Sequence, residues 1–197
     1  MKRTAILIAL LAAMPVHAAT GTDPDWPCVQ RKQPHLSLGQ VWSGPVPDDA
    51  VTALSRDPAI AALAARVEQR RMPIEQAEAE IATFAETAGN PQLTALMVAI
   101  FRRIEPERTA LIDGIARYGG KQVDLSKMIE DRRARMEELS AAETPDFDAI
   151  DAEEKALDWD ERIFTDRQRS LAYVCETPVI LEQRAFALGR AIAVHLE

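Results

Sequence analysis

Residues 147–171 read FDAIDAEEKALDWDERIFTDRQRSL, and apolar side chains recur there every seven positions. Ala149/Ile150, Ala156/Leu157 and Ile163/Phe164 make the row, with Phe147 before it and Ser170/Leu171 after it. A seven-residue repeat keeps one stripe of an α-helix against a neighbour. The spacing therefore predicts a helix over 146–175 packed along a bundle or coiled-coil seam. Thr177-Pro178 reads as its end, because proline lacks a backbone donor and collides with the preceding turn.

The flanking sequence repeats the helical pattern. Residues 178–196 present Leu181, Ala185, Leu188, Ile192 and Leu196 on one face, and residues 122–142 present Leu125, Met128, Ile129, Met136 and Leu139. Short breaks between long amphipathic helices imply antiparallel neighbours. Further upstream, two stretches match at a 33-residue offset. Asp57-Pro58 corresponds to Asn90-Pro91 and Ile60 to Leu93, while Leu63, Val67, Arg70, Pro73 and Ala77 correspond to Leu96, Ile100, Arg103, Pro106 and Ala110. Asp or Asn before Pro is a helix start, and the second Pro of each unit would stop one helix and begin the next. Two helical hairpins are expected, ending at Gly89 and at Gly119-Gly120. No stretch alternates with period two for long, and aromatic residues are only 5% of the chain. The fold expected is all-α, an antiparallel helical bundle preceded by these two hairpins.

The N-terminal part differs. Lys2 and Arg3, the apolar run Thr4–Met14, Pro15 and Val16-His17-Ala18 have the layout of an export signal, with cleavage expected after Ala18. Residues 19–47 hold five prolines (24, 27, 34, 45, 47) and glycines 21, 39 and 44, which disfavour a regular helix, yet they also hold Trp26 and Trp42. They read as an extended proline-rich arm anchored by its rings on a helical domain of residues 48–197. Cys28 and Cys175 are the two cysteines, and in an oxidising compartment they are expected to pair. Closing so long a loop stabilises by about 4–5 kcal/mol in the chain-entropy model. The expected location is periplasmic or secreted, with no integral membrane segment left after cleavage.

Charge bounds the function. The chain carries −8 in full. Loss of residues 1–18 removes Lys2 and Arg3, leaving 21 basic against 31 acidic residues, or −10. Such a field gathers no phosphates, so no nucleic-acid partner is expected. The excess is local, since Glu137 to Glu161 contains 11 acidic residues and one base, Lys155. Asp151, Glu154, Asp158 and Glu161 share a helical stripe by their spacing. Trp159 sits among them, away from the apolar row, so it is to be covered either by the arm or by a partner. Arg132 interrupts an apolar face and needs a carboxylate, with Glu154 or Glu161 the candidates. Arg184 flanks Leu181 and Leu188 in the same way.

Chemical motifs are missing. No GxSxG, HExxH, CxxCH, glycine-rich phosphate loop, DxDxDG loop or Glu-x-x-His pair occurs, so no metal or cofactor is expected. The reading that follows is a non-enzymatic accessory or interaction module. It would meet a partner of basic surface through Asp151, Glu154, Asp158, Trp159 and Glu161. One alternative is a small-ligand protein or enzyme with a pocket lined by Arg132 and Arg184. A second is a periplasmic chaperone-like protein with an apolar concavity on its hairpins.

Overall fold

The computed structural model describes residues 26–196. The expected export signal and the start of the arm, through Asp25, lie outside the described residues, as does Glu197. Among the described residues there are helices and no strand. In chain order they are α1 (Leu38–Val41), α2 (Asp49–Leu54), α3 (Pro58–Val67), α4 (Ile74–Ala85), α5 (Asn90–Ala141) and α6 (Phe147–Ala193).

Helix starts follow local chemistry. Asp48 accepts a hydrogen bond from the Val51 amide at 2.8 Å, and Asp57 accepts from the Ala59 and Ile60 amides at 2.9 and 3.2 Å. Asp146 accepts from the Ala149 amide at 3.1 Å. Each carboxylate satisfies an amide that the first helical turn leaves unpaired. Pro58 and Pro91 sit in the first turns of α3 and α5, where a missing donor costs nothing.

The repeat stops short of a second hairpin. The first unit forms one, α3 ending at Val67 and α4 starting after Pro73, but α5 runs unbroken through Pro106 and Gly119-Gly120. Pro178 likewise lies inside α6 and does not end it. The three long helices expected over 122–142, 146–175 and 178–196 are thus the second half of α5 and two parts of α6. A proline inside a helix costs roughly 3 kcal/mol. Burying one large aliphatic side chain returns about 1.5–3 kcal/mol. Ile104, Ile112 and Ile115 are buried on either side of Pro106, and Pro178 is itself buried between Cys175 and Leu181. Packing outweighs the local breaker at both places.

At 1.5 Å per residue, the 52 residues of α5 extend about 78 Å and the 47 of α6 about 70 Å. Only part of that length belongs to the main core. Leu93 to Ile100 are buried without a gap, so this stretch of α5 is enclosed on every side. Around it pack Ile60, Leu63 and Val67 of α3, Ala77 and Ile81 of α4, and Leu181, Leu188 and Ile192 of α6. Trp42 and Val41 join the same core, so the second arm tryptophan is an ordinary packing residue.

The segment before α1 is tied down in several places. Cys28 and Cys175 form a disulfide with Cα atoms 5.7 Å apart. Gln30 donates to Glu176 at 2.8 Å, the Leu36 amide donates to Glu105 at 3.0 Å, and Thr109 donates to the Pro34 carbonyl at 3.2 Å. The chain then passes so close to α6 that a Cβ on Gly189 would collide with the Val41 carbonyl oxygen. Gly189→Ala gains helix propensity worth up to about 1 kcal/mol. The displaced backbone outweighs that gain, and overpacking of this kind costs roughly 1–3 kcal/mol. The variant is expected to melt at a lower temperature than the wild type. Gly39→Ala, whose Cβ meets nothing within 4 Å, is the matched control and is expected to leave melting nearly unchanged.

Candidate functional site

The core shared with α1–α4 takes in α5 side chains up to Leu111 and α6 side chains from Leu181 onward. Between those limits α5 and α6 form a two-helix hairpin with a thin core of its own. Leu125, Ile129 and Leu157 are its buried members, with Met136, Ile163 and Phe164 half-buried beside them. The α6 heptad predicts this seam. Met128, assigned to the same row from sequence, is 43% exposed and stands at its margin.

Polar groups fill the seam where apolar ones run out. Arg132 donates through Nε to Asp160 at 2.6 Å and through Nη1 to Glu153 at 2.9 Å. Glu153 and Asp160 continue the heptad of Ile150, Leu157 and Phe164, so they face α5, whereas Glu154 and Glu161 lie one residue further round. Sequence therefore identified the need for a carboxylate at Arg132 and misassigned its partners by one position. The hydrogen bonds that Arg132 donates to Glu153 and Asp160 hold its pKa above the ordinary value against the opposing effect of burial. The cation stays charged wherever the protein is folded. Gln122 adds a second polar layer by donating to the Phe164 carbonyl at 3.1 Å.

The outward side of α6 is different. Asp151, Glu154 and Asp158 are exposed and have no ion-pair partner among the described residues. Glu161 is half-buried and pairs with Arg133 at 2.5 Å, so its charge is largely answered within the hairpin. Trp159 is 62% exposed. The described part of the proline-rich segment, from residue 26 on, does not cover it and lies against Glu105, Thr109 and Glu176 instead. One residue is about 100° of helix, so Trp159 and Asp158 flank the outward side together and do not share one stripe. Phe147, at the tip of the hairpin, is 74% exposed.

The two arginines expected to line one pocket are not brought together. Arg184 lies 24 residues along α6 from Asp160, about 36 Å at the helical rise. Its guanidinium is consumed by backbone, donating to the Val67 carbonyl through Nε at 3.0 Å and to the Met72 carbonyl through Nη1 at 2.9 Å. It caps the end of α3 and the turn into α4. Burial pushes its pKa down, and Glu68 partly offsets that. Of the three histidines, His17 lies outside the described residues, His35 contacts Thr109 at 3.3 Å, and His195 follows the end of α6.

Sequence reasoning missed a third arginine. Arg108 is 3% exposed, in the row Ile104, Arg108, Ile112, Ile115. The four-residue step from Ile104 to Arg108 to Ile112 was legible, but the assumed break at Pro106 cut it. Arg108 donates through Nη1 to the Gln33 carbonyl at 2.9 Å and through Nη2 to Glu182 at 3.3 Å. It lines a cavity of about 400 Å³ between the N-terminal segment and the two long helices.

Among the described residues, no group of three or more His, Cys, Asp or Glu is placed to hold a metal ion, and no helix is long and apolar enough to cross a membrane. No known protein family, curated protein or solved structure matches this chain.

The polar layer generates a prediction about the hairpin. Removing Arg132 from this partly buried cluster leaves Asp160 without a counter-charge and Glu153 with only the longer contact to Arg135 at 3.8 Å, whereas replacing all members of such a cluster with apolar groups is often neutral or stabilising. Arg132→Leu alone is expected to speed amide hydrogen exchange over 125–164 while residues 93–104 stay protected. The triple variant Arg132→Leu, Glu153→Leu, Asp160→Leu is expected to recover at least wild-type protection. Unchanged exchange in the single variant would show that the seam does not depend on this cluster.

Proposed function

We propose that the protein is an exported, non-enzymatic interaction module whose α5/α6 hairpin engages a partner of basic surface. The observation that carries this reading is Trp159, a large ring 62% exposed on a well-formed helix next to exposed Asp151, Glu154 and Asp158, which form no ion pair among the described residues. Tryptophan is enriched among residues that dominate binding energy at protein interfaces, and nearby charges steer encounter and select the partner. The contact surface is the outward side of α6, with Glu161 contributing least because Arg133 already answers it. The Cys28–Cys175 disulfide is compatible with the oxidising compartment that export implies.

The chaperone-like alternative has little support. It needs an apolar concavity on the hairpins, but only one hairpin forms, and none of the exposed large apolar side chains belongs to α3 or α4.

The test replaces Asp158 with a photo-crosslinking residue to capture the partner, then measures that partner's affinity for unmodified protein. Affinity is expected to fall as salt rises, since exposed charges are screened within about 10 Å at 0.1 M. Trp159→Ala is expected to weaken binding about thirtyfold or more, the usual threshold of an interface anchor. Charge reversal of Asp151, Glu154 and Asp158 together is expected to slow association. Affinity indifferent to salt and to these substitutions would overturn the reading.

A further inference from the structure

The cavity beside the disulfide is built differently from the hairpin surface. One wall is the N-terminal segment, including Trp26 and Gln30, and the other is α5 and α6, including Arg108, Ile112, Glu182 and Phe186. Its volume of about 400 Å³ falls in the range of small-molecule sites. Arg108 is the chemical anomaly. A guanidinium has five donors, and in a buried setting each unmet donor is costly. Here Nε is buried with no acceptor, and the side-chain oxygen of Gln30 in the facing wall is also unmatched.

A carboxylate grips a guanidinium with two parallel hydrogen bonds at either of two edges, and with Nη1 held by the Gln33 carbonyl the Nε–Nη2 edge is the one left to it. That edge holds a single contact, to Glu182 at 3.3 Å. The Glu182 side chain is 43% exposed and has solvent to turn to, while the Arg108 side chain at 4% has none. We propose that this cavity binds a small organic monocarboxylate, its carboxylate taking the Nε–Nη2 edge of Arg108 and its apolar body lying against Ile112 and Phe186. An entering carboxylate replaces the long Glu182 contact and adds the missing bond to Nε. Arg31 and Arg108 against Glu182 give the lining one net positive charge, which suits a monoanion better than phosphate or a dicarboxylate. Arg108 disfavours cations. This site lies on the opposite part of the molecule from the hairpin tip and does not depend on the interaction reading.

The test uses the oxidised full-length chain after signal removal, with acetate, hexanoate and benzoate as probes and benzamide and inorganic phosphate as controls. Calorimetry is expected to show saturable binding of hexanoate or benzoate, with dissociation constants below about 10 mM. Neither control is expected to bind in that range. The Arg108 Nε–H resonance is expected to shift on titration with the bound acid. Arg108→Lys keeps the charge but loses the fork, so it is expected to weaken binding at least tenfold. Because Arg108 also holds the Gln33 carbonyl, Gln183→Trp provides a second variant. Gln183 is exposed and lines the cavity, so the added ring fills space without touching the core, and it too is expected to weaken binding at least tenfold. The proposal is overturned if none of the three acids binds, if benzamide binds as well as benzoate, or if Gln183→Trp leaves affinity unchanged.

Discussion

Helices α5 and α6 run antiparallel, and the row of side chains between them changes character along its length. Near the start of α5 it is mainly apolar and wrapped by four further helices, with Leu93, Leu96, Ile100, Leu181, Leu188 and Ile192 in one core. Past Ile115 the surrounding helices are gone, and the seam becomes thin and mixed, with Gln122 and the Arg132, Glu153, Asp160 cluster set among Leu125, Ile129 and Leu157. That gradient supplies both a stable body and an exposed hairpin. Hydrophobic burial anchors one end, while at the other hydrogen-bonded charge pairs Arg132 with Glu153 and Asp160 across the seam.

The N-terminal segment joins the two regimes. Its disulfide meets α6 at Cys175, where the fully wrapped core has ended and the bare hairpin begins. From there the segment returns along α5 past Thr109 and Glu105 to place Trp42 in the main core. It thereby covers the polar side of Arg108 and encloses the cavity beside it. Its prolines leave few amides to satisfy, which suits a chain that crosses helices without pairing to them.

The seam of α6 and the helix-starting Asp-Pro and Pro signals could be read from residues alone, because they depend on spacing and on the first turn of a helix. The outward position of Trp159 followed from the same heptad. The partners of Arg132 were missed by one residue because Glu153 and Glu154, or Asp160 and Glu161, differ by about 100° of rotation. Only the crossing of α5 decides which of each pair it meets. Arg108 went unnoticed because Pro106, two residues earlier, suggested a break in the row that contains it.

Sequence by itself determined the helical class, the heptad seam, the cysteine pair and the concentration of charge on one part of one helix. Each of these is a local or periodic property, set by which side chains recur at helical spacing. Tertiary structure decided where helices end. Pro106, Gly119-Gly120 and Pro178 are stop signals for an isolated segment, but buried isoleucines and leucines on either side contribute more than each breaker costs. That balance is made by partners distant in the chain, and it turned an expected hairpin and three helices into two long ones.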